Sequence, residues 1–179
     1  PLSMSSEAKV VEKIKNHVAV CLDGSDYSKF VVEWCAEHIF PWAGKVTFLH
    51  AYSFSPVTFI PGPSLAYSAD AIEKSNQAFE QAAIRKGTEL LKAYARDSAK
   101  LGRKPDELKL IQAEPYMSAK TAILDFTETA EPDFLVCGSR GMGAMGRMLI
   151  GSVSDYLTHN AKCSVLVVKE PEAKCPKLA

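Results

Sequence analysis

The sequence has no long apolar run and no excess of either charge. No apolar stretch approaches the ~20 residues that cross a membrane, and the polar start at residues 5–9 is unlike a signal peptide. Lysine and arginine together number 21, as do aspartate and glutamate, so the formal net charge is zero. We therefore expect a soluble, cytoplasmic protein and no membrane or nucleic-acid partner.

Paired cysteines, metal-ligand spacings and catalytic motifs are also absent. The five cysteines form no CxxC pair and leave one over, so reduced thiols are expected. The four histidines are scattered, which argues against a structural metal site. The sequence contains no GxSxG elbow, Walker GxxxxGK[ST] loop or HExxH helix. It therefore predicts neither a metal ligand nor a catalytic residue.

Short apolar runs alternate with stretches of helical periodicity along the chain. The apolar runs predict five strands, at residues 17–22, 46–51, 108–113, 134–138 and 165–168. A helix is predicted in each interval between them. This alternation is typical of one α/β domain, over 16–170, with a doubly wound, Rossmann-like parallel sheet and helices on both faces. Residues 1–15 and 171–179 are expected to be flexible termini.

The second interval combines an irregular segment with the longest predicted helix. Three prolines exclude regular structure between Tyr52 and Tyr67. The aromatic residues there either form a lid over a ligand or partner surface, or pin a mobile insertion; they are Phe54, Phe59 and Tyr67. In the helix that follows, an apolar stripe is predicted to run from Ile72 to Leu101 and to include Phe79. Gly87 on that stripe indicates close packing or a bend.

A glycine-rich loop joins the fourth strand to the last helix, with the spacing Gly138-x2-Gly141-x9-Gly151-Ser152. Glycine lets backbone N–H groups approach an anion without a side chain in the way. Ser152 lies where the helix begins, so its hydroxyl and the first free N–H groups can hold a phosphate. Ser152-x-x-Asp155 also fits a variant of the capping box, which would make this an ordinary helix start.

Two arginines are candidates for phosphate contact. Arg140 lies inside the glycine loop, where it pairs with phosphate or is simply exposed to solvent. Arg147 is a weaker candidate of the same kind. The apolar residues nearby are expected to close the loop against the core or a subunit partner; they are Met142, Met145, Met148 and Ile150.

The glycine motif and its placement resemble the ATP-binding branch of the universal stress protein family. The signature Gly-x2-Gly-x9-Gly-(Ser/Thr) is met at every fixed position, and VCLDGSDYS around Asp23 resembles the family's VxxDGSxxS. The resemblance implies a five-stranded sheet in the order 3-2-1-4-5. Strand order then reverses between the first and fourth strands, where a ligand crevice is expected. Asp23 ends the first strand and Gly138 the fourth, so both fall at that crevice.

The resemblance also implies a role for each residue at the crevice. Adenine would contact Asp23, and the backbone of Leu22 and Ala51 would line the base pocket. Ribose and phosphate would contact the loop and the helix start; the residues are Gly138, Arg140, Gly141, Gly151, Ser152 and the backbone of Val153. Asp23 before glycine is also typical of a turn cap, and the two roles can coexist. The implied ligand is ATP, or AMP or ADP, with Mg or Mn at the phosphates.

Phosphoryl transfer needs a positioned base or water and usually a metal, and the sequence names neither. We therefore expect a nucleotide-dependent stress-response regulator or switch with at most slow ATP hydrolysis. The alternatives are an ATP-consuming enzyme, as a slow ATPase or an autophosphorylating protein, and a nucleotide-free structural dimer module. A homodimer is expected through the last strand, Ser164 to Val168, because an apolar sheet edge left bare is an aggregation hazard.

Overall fold

The computed structural model describes residues 16–58, 69–113, 118–140 and 150–169. The predicted flexible termini lie outside these ranges. The strands are β1 (His17–Cys21), β2 (Lys45–Tyr52), β3 (Glu107–Gln112), β4 (Phe134–Gly138) and β5 (Ser164–Val168). The helices are α1 (Asp26–His38), α2 (Ala69–Lys100), α3 (Ala119–Ala130) and α4 (Ser152–Asn160).

The five strands form one sheet in the order β3-β2-β1-β4-β5, and every neighbouring pair is parallel. Val20 in the central strand β1 lies beside Phe48 of β2 and Val136 of β4. The predicted doubly wound fold and its strand order are therefore confirmed. The order reverses at β1 and β4, so a crevice opens at the carboxyl ends of these two strands.

Helices cover both faces of the sheet. Successive strand residues point to opposite faces, so Val20 belongs to one apolar cluster and Ala19 to the other. α1 and α2 cover the Val20 face, to which they contribute Val31 and Leu91. α3 and α4 cover the Ala19 face; their core residues are Ile123, Phe126 and Leu157. None of the described helices is both long enough and apolar enough to cross a membrane.

The predicted apolar stripe of α2 is wrong at its ends. Phe79 is 54% exposed and Leu101 is 48% exposed, whereas the buried residues of α2 are Gly87, Leu91, Ala95 and Ser98. The helix has 32 residues, or about 48 Å, and is longer than the sheet that it covers. Its periodicity was correctly identified, but a pattern in sequence cannot show where the sheet ends.

Gly87 lies where α2 packs most closely on the sheet. A Cβ atom at this position would lie 2.6 Å from Leu110 Cδ1 and 2.9 Å from His50 Cδ2. Both distances are shorter than carbon atoms tolerate, so only glycine allows the helix to approach β2 and β3 this closely. The sequence left close packing and a bend as alternatives, and the structure shows close packing.

Candidate functional site

A cavity of about 470 Å³ opens at the carboxyl ends of β1, β2 and β4. This volume lies in the range of small-molecule sites. The last residues of the three strands form its floor, and the first turns of α3 and α4 form its sides. The residues that line it are Cys21, Leu22, Asp23, Ser28, Leu49, His50, Ala51, Ser53, Ala119, Ile123, Cys137, Gly138, Arg140, Gly151, Ser152, Val153 and Ser154.

The residues predicted from the two ends of the sequence come together around this cavity. β1 and β4 pair in parallel, and Leu22 and Asp23, which directly follow β1, line the cavity together with Gly138 at the end of β4. The remaining predicted residues that line the cavity are Ala51, Arg140, Gly151, Ser152 and Val153. Gly141 and Arg147 lie outside the described residues. That any of these residues contacts a nucleotide stays a prediction.

Asp23 organises the turn between β1 and α1. Its Oδ1 accepts hydrogen bonds from the Ser25 backbone N–H at 3.0 Å and from the hydroxyls of Ser25 and Ser28 at 2.6 and 2.8 Å. Ser28 Oγ in turn accepts a bond from the Asp23 N–H at 2.9 Å. The turn-cap role that the sequence offered for Asp23 is therefore present. It fixes the carboxylate at the rim of the cavity.

Two residues of α2, Leu90 and Tyr94, contact the same turn. Gly24 has φ of +85°, in the left-handed region, and a Cβ there would lie 2.6 Å from Leu90 Cδ1. The Tyr94 hydroxyl donates to the Ser25 carbonyl at 3.3 Å. Burial raises the pKa of Tyr94, so the hydroxyl keeps the proton that it donates. Both contacts leave the position of Asp23 little freedom.

The described ends of the glycine loop, residues 138–140 and Gly151, pack tightly against each other. The Gly151 N–H donates to the Ser139 carbonyl at 2.6 Å. A Cβ at Gly151 would lie 3.3 Å from that carbonyl oxygen, and a Cβ at Gly138 would lie 3.1 Å from the Arg140 carbonyl oxygen. Both glycines therefore allow the backbone to approach itself within the loop. This role within the loop adds to the approach to a ligand that was predicted for the glycines.

α4 begins without a side-chain cap, so the predicted capping box is wrong. Gly151 is the N-cap residue, which makes Ser152 the first residue of the helix rather than its cap. Within the described residues, the Ser152 hydroxyl makes no hydrogen bond, and it lines the cavity. The N-terminus of α4 therefore lines the cavity at Gly151, Ser152 and Val153 without a side-chain hydrogen bond at its N-cap.

Arg140 supplies the positive charge among the described lining residues. Its guanidinium carbon lies 5.9 Å from the centre of the Tyr27 ring, within the range of a cation–π contact. Arg140 is half-buried, and its contact with phosphate stays a prediction. The ring of Tyr27 in α1 therefore helps to fix the position of the guanidinium.

Several residues that line the cavity were not predicted from the sequence. His50 Nδ1 donates to the Leu22 carbonyl at 2.7 Å and so ties the end of β2 to the end of β1. Ala119 and Ile123 come from α3, whose N-terminal part lies beside the cavity as a result of the strand order. His50 directly precedes Ala51, and Cys21 directly precedes Leu22. Adjacency to a predicted residue was therefore the signal in the sequence that could have identified these two.

Two thiols form an uncharged part of the floor. Burial raises the pKa of Cys137 to about 12 and that of Cys21 well above its ordinary value, with the nearby Cys137 thiol adding to the effect at Cys21. Both cysteines therefore remain protonated at neutral pH. A neutral, polarisable floor suits an aromatic base better than a phosphate.

Phe54 does not line this cavity, although it belongs to the aromatic set that the sequence proposed as a lid. It lies instead in a separate groove beside α2. Phe59 and Tyr67 lie outside the described residues. Among the residues that the structure describes, no three His, Cys, Asp or Glu side chains group as a metal site.

Comparison with known proteins identifies the relatives of this chain. The family model described as "Universal stress protein family" matches residues 15–169. Universal stress protein MJ0531 of Methanocaldococcus jannaschii is 25% identical over 161 residues, which cover 90% of this chain and 86% of that protein.

Solved structures share the fold. Universal stress protein UspA from Lactobacillus plantarum aligns with a TM-score of 0.63 at 20% identity, over 86% of this chain and 97% of that one. A universal stress protein in complex with cAMP aligns with a TM-score of 0.57 at 21% identity, over 86% and 96% of the two chains.

Proposed function

Because this chain belongs to the universal stress protein family, we propose that it is a cytoplasmic nucleotide switch that binds an adenine nucleotide, ATP or the related AMP or ADP, in the cavity described above. One observation carries the proposal. The Asp23 turn and the glycine loop, predicted from separate parts of the sequence, line one cavity of suitable size. Occupancy would then alter the dimer state or the contacts with partners.

The base would occupy the side of the cavity formed by β1 and β2. The neutral thiols of Cys21 and Cys137 offer sulfur contacts to an aromatic ring, and Ile123 of α3 offers an apolar wall. Asp23 stands at the rim, where a carboxylate can accept a hydrogen bond from the exocyclic amine of adenine. Leu22 and Ala51 would meet the base through their backbone.

The phosphates would occupy the side formed by the glycine loop and α4. The helix start at Gly151 and Ser152 supplies N–H groups, a hydroxyl and the positive end of the dipole. Arg140 adds a charge-assisted contact. Mg or Mn would accompany a triphosphate, held mainly by the phosphates themselves. The solved relative that contains cAMP supports an adenine nucleotide as the ligand class.

The side chains around the cavity favour binding over efficient catalysis. A general base must reach the proton that it removes. His50 Nδ1 is engaged with the Leu22 carbonyl, and Asp23 Oδ1 already accepts three hydrogen bonds. We therefore propose a nucleotide binder whose hydrolysis, where it occurs, is slow.

Calorimetric titration of nucleotide-stripped protein tests the phosphate side of this proposal. We expect ATP with Mg to bind saturably, at about one per chain, and the Ser152→Ala variant to bind at least about tenfold more weakly, since a charge-assisted hydrogen bond contributes about 1.5–3 kcal/mol. Ser152 makes no hydrogen bond within the described residues, so its removal should leave stability unchanged.

Ser75→Ala is the matched control, because Ser75 is an exposed serine on α2 that lines neither the cavity nor the groove. It should bind ATP as the wild type does. Equal affinity of all three proteins would remove Ser152 from the phosphate site. Absence of any binding by the wild type would contradict the proposal itself.

A further inference from the structure

The first part of α2 extends past the sheet that the rest of the helix covers. β2 has 8 residues and spans about 26 Å, a little over half the length of α2. Gly87 packs against His50 near the carboxyl end of β2, and the buried residues of α2 begin at Gly87. Residues 69–86, which we call the overhang, are about 27 Å long and contribute no buried residue to the core.

The overhang holds its helical form without core packing. It is rich in alanine, glutamate, lysine and glutamine, which have high helix propensity. Lys74 pairs with Asp70 at 2.8 Å, and Gln77 donates to Glu73 at 3.3 Å, both one turn apart. A helix that is maintained in this way but leaves Phe79 mostly exposed offers its surface to another molecule.

A groove runs along the overhang beside the chain that leaves β2. It has a volume of about 340 Å³ and is lined by Phe54, Ala69, Ile72, Glu73, Asn76, Gln77 and Glu80. We call it the overhang groove. Asn76 fixes its second wall, because the Val57 N–H donates to Asn76 Oδ1 at 2.7 Å and Asn76 Nδ2 donates to the Val57 carbonyl at 3.1 Å. The groove is thus built by two elements rather than by one helix face.

The groove lies next to the nucleotide cavity. Ser53 lines the cavity and Phe54 lines the groove, so consecutive residues of one extended segment face the two sites. Glu80 is close enough to Tyr52, the last residue of β2, to raise the pKa of Tyr52 together with burial. A molecule in the groove would therefore lie near the carboxyl end of β2, as the proposed nucleotide does.

The charges in the groove are all negative. Glu73 and Glu80 lie two helical turns apart, or about 10 Å, and the described lining residues include no lysine or arginine. Lys74, the residue after Glu73, forms its ion pair with Asp70. The lining also contains the apolar side chains of Phe54 and Ile72 and the amides of Asn76 and Gln77. In a chain of zero net charge this acidic and apolar combination is a local feature.

We propose that the overhang groove is a docking site for a basic, amphipathic segment of a partner protein. Two lysines or arginines about 10 Å apart would meet Glu73 and Glu80. An apolar side chain of the same segment would pack on Phe54 and Ile72, as amphipathic helices do in apolar grooves. The carboxylates repel phosphate groups, so the charge pattern excludes a nucleic acid in this place.

A synthetic peptide provides the test. The probe is a fluorescein-labelled helical peptide of about 15 residues, with lysines about seven positions apart and leucines between them. Its binding to the full, nucleotide-free chain is followed by fluorescence anisotropy. We expect saturable binding, and we expect a second peptide with glutamate in place of lysine not to bind.

Two charge-reversal variants make the test specific to the groove. Glu73→Lys/Glu80→Lys should weaken peptide binding by at least about tenfold. Glu33→Lys/Glu37→Lys changes the net charge equally on the exposed face of α1 and should bind as the wild type does. The thermal midpoints of both variants should match the wild type, because none of the four residues is in the core.

Failure of the wild type to bind the lysine peptide, or equal weakening by the two variants, would overturn the proposal. Equal binding of the glutamate peptide would overturn it as well. Since the chain carries no nucleotide in this experiment, such results would leave the proposed nucleotide site untouched.

Discussion

Asp23 shows how one side chain supports both the fold and a proposed function. Its Oδ1 accepts three hydrogen bonds that close the turn before α1, and its position places the carboxylate at the cavity rim. The Asp-Gly-Ser sequence predicted the turn because these residues favour such bonds. The base contact rests on the family resemblance and stays a prediction, since turn chemistry cannot reveal a ligand.

The cysteines of the cavity floor give a prediction at the same scale. The pKa of Cys137 is about 12, against an ordinary value of 9.0, and the thiolate is the reactive form. At pH 8 the native protein should therefore alkylate at Cys137 about a thousandfold more slowly than the unfolded chain. Mass spectrometry after iodoacetamide treatment, with and without denaturant, measures both rates.

The same shift fixes the sign of a pH effect on stability. The folded state holds the Cys137 proton more tightly than the unfolded state, so the free energy of unfolding should fall as pH rises from about 9 to about 12. A Cys137→Ala variant should lose less stability over that window. Rapid labelling of Cys137 in the native protein at pH 8 would contradict the burial argument.

The start of α4 marks a limit of prediction from residue types. Ser152 and Asp155 have the types of a capping box, yet Gly151 is the N-cap. Which residue takes the cap is decided by backbone angles, and the packing of Gly151 on the Ser139 carbonyl sets those angles here. The serine hydroxyl is left facing the cavity, which favours a role toward a ligand.

Among the elements, α2 illustrates that hydrophobic periodicity predicts a helix but not how much of that helix is buried. The helical pattern and the end at Gly102, with φ of +96°, were predicted. The exposure of the overhang was not, because exposure depends on the length of the sheet and on its position relative to the helix. Residue patterns describe a helix face but not what stands opposite that face.

The close packing at Gly87 leads to a prediction about stability. Gly87→Ala should destabilise the protein by about 1–3 kcal/mol, since the clash with Leu110 and His50 outweighs the gain of about 1 kcal/mol in helix propensity. Denaturant unfolding measures the change. Adding Leu110→Val removes the Cδ1 atom that lies nearest and should recover part of the loss.

A matched variant in the overhang controls for propensity. Ala82→Gly lies on an exposed part of the same helix and should cost about 1 kcal/mol through propensity alone. Stabilisation by Gly87→Ala would show that the helix and sheet can separate at no cost. The account of close packing would then be wrong.

At the scale of the whole molecule, most of the architecture followed from the sequence. Alternating strand and helix patterns predicted the doubly wound sheet, and the resemblance supplied the order that the structure confirms. That order brings Asp23 and Gly138 together through the pairing of β1 with β4. The contribution of α3 was missed, because the signature residues mark only β1, β2 and the glycine loop.

The edge strand β5 leads to a prediction about assembly. Its apolar residues Val165, Leu166 and Val167 are only half-buried at one side of the sheet. We expect two copies to pair through β5, since an uncovered apolar edge invites association. Val167→Lys should shift the protein toward monomer in size-exclusion chromatography with light scattering.

Gln112→Lys is the control for this assembly, because it adds the same charge at the opposite edge, on β3. It should elute as the wild type does. A Val167→Lys variant with the molar mass of a wild-type dimer would exclude β5 as the interface. A monomeric wild type would exclude the dimer.

The most direct test of the nucleotide site is an amide NMR titration of the stripped protein with ATP and Mg. We expect saturable shifts at the backbone amides around the cavity, at Leu22, Ala51, Gly151, Ser152 and Val153. The amides of β3 and of the overhang should remain nearly unchanged. No saturable shift, or shifts confined to the overhang groove, would contradict the claim that this cavity binds an adenine nucleotide.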